Sequence, residues 1–329
     1  MPSNRRKFLG QSLASVAGIA TTMIPTQIFG HSLHNTSRPE EIILPPNRPI
    51  GTKESIKFSV IGLNHGHIYG MVDSLITGGG SLIGVYAKEP ELLQQFTKRY
   101  PKVKIAKNEN EIIEDNSIQL VASAAIPIER APIGIRVMKS GKDFMTDKPG
   151  ILTLEQFAEV KKIQKETKRI YSIVYSERLA NPASVKAGEL VSAGAIGKVV
   201  QTIGLGPHRM RPESRPDWFF DPKKARIDWF TPEGLGTWGD GRTFILGTEG
   251  YIEMRKYIDI AGKEGGNHLF LVNQKETKYY DCSNIYMPYG EQLVNDVVHR
   301  TETAMTQEHC FLATELALKG QKMAHKLNV

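Results

Sequence analysis

The sequence predicts an α/β protein: an N-terminal doubly wound parallel sheet, then a smaller C-terminal α+β domain with an open, largely antiparallel sheet. Three observations predict it. Residues 56–70 read as a strand, a tight glycine turn and the start of a helix. From there to residue 176, short apolar strands alternate with amphipathic helices, the pattern of parallel strands joined by right-handed crossovers. Beyond Ser176, strand-like segments follow one another at hairpin spacing before a closing helix.

The first strand is carried by Ile56, Phe58, Val60 and Ile61, and the helix after the turn by Ile68, Met71, Val72, Leu75 and Ile76. Further strands are expected at 81–87, 104–106, 118–125, 144–146 and 171–175, with helices at 91–100, 133–139 and 154–166. These make up a domain over residues 55–177, whose ligand should lie at the carboxyl ends of the strands. Residues 178–329 form the second domain. It has a helix at 183–192, strands at 199–203, 226–230, 243–247, 251–257, 268–272 and 278–281, and a helix at 307–326. Residues 31–54 carry Pro39, Pro45, Pro46 and Pro49 and read as a linker.

Hydrophobic residues make up 40% of the chain and charged residues 23%, enough apolar material for a sizeable globular core. The formal charge is +7, and it falls to +4 without residues 1–30, which hold three cations and no acid. The other cations are interleaved with acids, and no nucleic-acid motif occurs. Cys282 and Cys310 give no metal pair and no disulfide framework. Arg5 and Arg6 before Phe8-Leu9 resemble a twin-arginine export signal over residues 1–30, which implies a periplasmic protein. The apolar run from Leu13 to Ile24 is too short and too rich in small residues for a stable membrane anchor.

Motifs accumulate along the chain. Residues 62–70 form the glycine turn, and Ser123-Ala124-Ala125-Ile126-Pro127 ends the fourth strand. Gly-Lys-x-x-x-x-Asp-Lys-Pro spans 141–149, before a Leu-Thr-Leu-Glu helix start at 152–155. Ala-Gly-Ala-Ile-Gly-Lys-Val at 193–199 and Gly-Thr-Glu-Gly at 247–250 lie in the second domain. This set resembles the Gfo/Idh/MocA oxidoreductase family over about residues 55–329. The resemblance implies a Rossmann domain for NADP or NAD and a second domain that supports a small-molecule substrate. It also implies a homo-oligomer contact through the second sheet, and hydride transfer to or from a carbinol carbon of a sugar or polyol. It places Lys148, after Asp147, at the nicotinamide and substrate, where an ammonium can stabilise an alkoxide. Behind an export signal, such a cofactor is expected to be tightly held.

Three departures qualify the resemblance. The usual glycine turn would put glycine at 62, 64 and 67, but Asn64 and His67 replace two of them, with Gly66 between. Asn64, His65 and His67 can contact phosphate or the nicotinamide. The histidine pair also invites a metal reading, but no third ligand is apparent in the sequence, and no metal is expected. The second strand ends in Ala87-Lys88-Glu89, where Lys88 favours a 2′-phosphate and Glu89 keeps NAD open. The candidate cofactor residues are therefore Gly62, Asn64, His65, Gly66, His67, Lys88, Ala125, Pro127, Asp147 and Lys148. The third departure is that the family's Asp-x-Gly-x-His segment is absent from a shortened second domain. His208 and Tyr175 are the nearest substitutes for its acid/base function. Two other readings stay open: a catalytically impaired nucleotide- or sugar-binding protein, and a glycosidase that uses NAD for transient oxidation.

Overall fold

In a computed structural model, described for residues 56–206, 209–225, 241–258 and 264–324, six parallel strands run in the order β3-β2-β1-β4-β5-β6. They are β1 (Ile56–Ile61), β2 (Gly80–Tyr86), β3 (Lys104–Ile105), β4 (Leu120–Ser123), β5 (Asp143–Asp147) and β6 (Tyr171–Val174). Every residue of β4, β5 and β6 is buried, as expected of central strands covered on both faces. Helices α1 (His67–Thr77), α2 (Pro90–Arg99), α3 (Glu109–Ile113), α4 (Pro127–Lys139) and α5 (Leu154–Thr167) make the connections. The described residues all lie in one compact unit, Ile43–Val329. The expected export signal and linker, and the expected strand at 226–230, lie outside the described residues.

Side-chain oxygens cap several helices. Asn108 accepts the amide of Glu111 at α3, and Thr153 that of Gln156 at α5, each contributing about 1 kcal/mol. Helix α4 begins earlier than its sequence suggests. Pro132 looks like a stop, since it cannot donate to the carbonyl four residues back. That carbonyl, on Ile128, instead accepts the side-chain amide of Gln156 at 3.0 Å. With the lost bond replaced, the helix starts at Pro127, whose ring suits the first turn.

After β6 come α6 (Ser176–Leu179) and α7 (Pro182–Ser192), then a second sheet of order β11-β10-β9-β8-β7. Its strands are β7 (Val199–Leu205), β8 (Gly241–Gly247), β9 (Gly250–Ile258), β10 (Glu264–Asn273) and β11 (Thr277–Asp281), all paired antiparallel. Its core is small: Ala183 and Ala187 of α7 share a cluster with Ile196, Ile252, Leu269, Leu271 and Cys282. Edge strand β7 is exposed along its whole length, Val200, Ile203 and Leu205 included.

The chain then returns to the first sheet through α8 (Tyr289–His299) and α9 (Gln307–Met323), whose buried apolar residues, among them Leu293, Val294, Phe311 and Leu318, belong to the first sheet's core. Gly290 lets α8 approach α1, because a Cβ there would stand 2.1 Å from the Ser74 carbonyl oxygen. Arg300 clamps both oxygens of Asp143 at the start of β5, at 2.6 and 3.0 Å. Gln307 pairs with both backbone groups of Tyr171 in edge strand β6, accepting its N–H at 2.6 Å and donating to its carbonyl at 2.9 Å. Among the described residues, no helix is long and apolar enough to cross a membrane.

Candidate active site

Strand order reverses between β1 and β4, and the carboxyl ends of β1, β4 and β5 form the crevice where such sheets receive ligands. Gly62 closes β1 with φ of 85°, donating to the Tyr86 carbonyl at 2.8 Å and accepting from the Ala124 amide at 3.2 Å. A Cβ on Gly62 would stand 2.5 Å from that of Ala125, so the first turn glycine is required by both backbone angle and space.

The rest of the turn leads into α1. Gly66 is its N-cap, with open space where a Cβ would be, no side-chain cap and no acid in the first turn. The first amides of α1 lean on the turn itself, Ile68 on the His65 carbonyl at 3.2 Å and Tyr69 on that of Gly66 at 3.3 Å, and a helix start with no acid in its first turn suits the phosphates of a dinucleotide through its dipole. Asn64, in place of the second glycine, donates to Glu89 just past β2 at 2.7 Å. Lys88 does not stand as a free cation. Its ammonium bonds Glu129 at 2.6 Å, leaving two carboxylates and one lysine at this end of the crevice.

The centre of the site is Asp147 at the end of β5, with its side chain only 1% exposed. One oxygen accepts His67 Nδ1 at 2.9 Å and the Lys148 amide at 2.8 Å. The other meets His65 Nδ1 at 3.0 Å and the Arg130 guanidinium at 3.3 Å. Burial acts to raise the Asp147 carboxyl, but the bonds from His65 and His67 and the Arg130 charge outweigh it and hold the group well below the usual carboxylate range. Burial also pushes His65 below its ordinary value, against the pull of Asp147. Arg130, itself buried, donates to the carbonyls of Ala125 at 2.7 Å and Pro149 at 3.2 Å. The Arg130–Asp147 pair thus fixes the turn that carries Lys148.

Lys148 lines a cavity of about 430 Å³. Ser176, Asn181, Arg242, Arg255 and Lys256 supply much of its polar wall. Ser176 also borders a second cavity of about 400 Å³, lined by His67, Met71, Met145, Val174 and Tyr289.

The structure thus gathers Gly62, Asn64, His65, Gly66, His67, Ala125, Asp147 and Lys148 around one crevice, with Pro127 buried at the start of α4 beside it. Asp147 does not reach toward a ligand as a cofactor contact would. Its oxygens are engaged, so it organises the site from beneath. His65 and His67 do acquire a third neighbour of ligand type, 80 residues from His67, which the sequence could not show. A divalent cation fits that trio poorly, because Arg130 already stands against the carboxylate. Tyr175 bonds Thr314 at 2.7 Å and the Cys310 carbonyl at 3.2 Å, so its hydroxyl serves the α9 contact instead of the crevice. His208 lies outside the described residues. Arg130 was missed, although Arg130, Ile133, Gly134 and Val137 share helical spacing, which puts the charge on the buried face of α4.

Parallel sheet, reversed strand order, glycine turn and separate antiparallel sheet define the class of oxidoreductase folds of the Gfo/Idh/MocA type. Solved structures narrow the assignment. A presumed oxidoreductase from Erwinia carotovora atroseptica is 36% identical over 83% of this chain and 99% of its own, with a TM-score of 0.77. The chain belongs to the same family as that protein. Levoglucosan dehydrogenase, solved with NADH and levoglucosan, is 14% identical over 80% of this chain and 94% of its own, with a TM-score of 0.64. A 3-ketoreductase from Actinomadura kijaniata, solved with NADP, is 10% identical over the same shares, with a TM-score of 0.58. At those identities the last two share the fold alone. No family model and no curated protein matches the chain.

Proposed function

We propose that the protein is a nicotinamide-dependent oxidoreductase that transfers a hydride to or from a carbinol carbon of a sugar or polyol. The observation that carries this reading is the meeting of the glycine turn with Lys148, which Asp147 and Arg130 hold at the edge of a cavity that Ser176, Asn181 and Lys256 also line. The turn of Gly62 and Gly66 and the start of α1 would hold the pyrophosphate, with Glu89 and Asn64 toward the ribose. The nicotinamide, when bound, supplies the hydride acceptor or donor. Lys148 orients the substrate hydroxyl and stabilises negative charge on its oxygen. Ser176 and Asn181 offer hydrogen bonds to neighbouring hydroxyls of the substrate.

The sequence leans toward NADP through Lys88. With Lys88 tied to Glu129 and Glu89 close by, the ribose end favours the free 2′-hydroxyl of NAD over a third phosphate charge. Tight cofactor retention, export through the paired arginines, and association of two copies through the exposed residues of β7 and β8 belong to the same proposal. Absorbance and fluorescence of the purified protein would reveal bound nicotinamide, and a panel of sugars would change its redox state. Bound cofactor that no sugar oxidises or reduces would instead favour the impaired, binding-only reading, which the missing Asp-x-Gly-x-His supports.

A further inference from the structure

We propose that His67 is the acid/base residue of this protein and that Asp147 is its positioning partner. The assignment rests on the oxidoreductase reading above. It places the proton chemistry on the nucleotide-binding turn, in a chain whose second domain lacks the expected histidine motif.

The geometry separates the two histidines. Each presents Nδ1 to a different oxygen of Asp147, and their rings meet edge to face at 4.2 Å. A buried, ionised carboxylate accepts only, so Nδ1 of His67 carries the hydrogen and Nε2 is left with its lone pair. His67 is 42% exposed and borders the cavity of about 400 Å³, whereas His65 is 26% exposed and does not line it. His65 is therefore the wall that sets the His67 ring, and His67 is the group open to a ligand.

Three further features suit proton transfer. The neighbouring wall is mostly apolar, with Met71, Met145, Val174 and Leu179. Arg130 keeps Asp147 ionised, so a carboxylate stands ready to stabilise an imidazolium. One oxygen of Asp147 receives both His67 Nδ1 and the Lys148 amide, so a single buried group sets the proton acceptor and the charge stabiliser together. Ser176 borders the cavities of both. In the oxidation direction, the carbinol O–H proton passes to His67 Nε2. A bound nicotinamide would accept the C–H hydrogen with its electron pair, and the C–O bond would become double. In reduction His67 returns the proton.

The tautomer and the kinetics test this separately. In ¹⁵N-labelled protein with NAD⁺, long-range imidazole spectra, assigned with His67→Gln, should show His67 protonated at Nδ1. His67→Gln should still bind NAD⁺ and, at saturating cofactor, lower kcat about 10²–10⁴-fold with levoglucosan, D-glucose or myo-inositol as probe. A hydrogen on Nε2, an unchanged kcat, or loss of NAD⁺ binding in His67→Gln would each overturn the assignment. Failure of the wild-type protein to bind either NAD⁺ or NADP⁺ would overturn the oxidoreductase reading itself, and His67 with it. Intact binding with the wrong tautomer would remove His67 alone.

Discussion

The two sheets of this protein solve opposite problems. The parallel sheet buries every residue of β4, β5 and β6, and its ends carry charges in fixed pairs: Asp143 with Arg300 at the start of β5, and Asp147 with Arg130 at its end. The antiparallel sheet has a small core and an edge strand with no buried residue. The first can hold an ionised carboxylate away from water because its neighbours cannot relax. The second offers surface, and through β8 and β9 it walls the cavity that Lys148 enters. Chemistry needs the rigid half, and recognition can use the open one.

The sharpest way to break this contrast is at Lys148. Lys148→Ala should reduce turnover by about 10²–10⁴-fold and spare nicotinamide binding, read by steady-state kinetics and cofactor fluorescence. Arg130→Met comes next, because it leaves Asp147 buried without its permanent cation. We expect a loss of about 3–5 kcal/mol in urea unfolding, and an effect nearer zero would mean that Arg130 is not needed to hold the turn. Gly62→Ala should cost about 1–3 kcal/mol from its positive φ alone, more once Ala125 is displaced, and should weaken cofactor binding.

Acid sharpens the comparison further. Asp147 and His65 both have folded-state values below their unfolded ones, so each adds stability that is full above its unfolded pKa and is lost as pH falls toward the folded one. Denaturation midpoints should therefore fall on acidification from about pH 7 toward pH 3, first through His65 and then through Asp147, and Asp147→Asn should flatten the lower part of that slope. The smallest effect belongs to the open sheet. Phe244→Lys, on β8, should change stability by no more than about 0.5 kcal/mol. If copies associate there, sedimentation should show a smaller species, whereas an unchanged size would remove this face from the contact.

Much of the parallel sheet was legible because its strands are short apolar runs separated by helices of clear period. The Thr153 cap stood in plain sight in Leu-Thr-Leu-Glu. Legibility failed where distant partners decide the outcome. Helix α4 hides its start behind Pro132, which only Gln156, from another helix, makes tolerable. Helix α8 contains Gly290, Asn295 and two adjacent valines, weak helix formers that α1 and the sheet hold in place. Strand β5 was read one residue short at each end, because Asp143 and Asp147 look like turn residues until Arg300 and Arg130 are seen beside them. At the site, the glycine turn and Lys148 could be found from motif alone. The grouping of His65, His67, Arg130 and Asp147 comes from the β1 turn, helix α4 and strand β5, and exists only in the folded chain.

Gln307 has a consequence for how the protein stays apart from its own kind. By giving Tyr171 an acceptor and a donor, its amide imitates a peptide group from an adjoining strand, and it closes part of the edge of β6. An open edge of a hydrophobic sheet is a template on which another chain can pair. Helix α9 is thus a guard as well as a packing element, and a chain whose α9 had come loose would offer its neighbours a sticky strand before it lost any residue of the site.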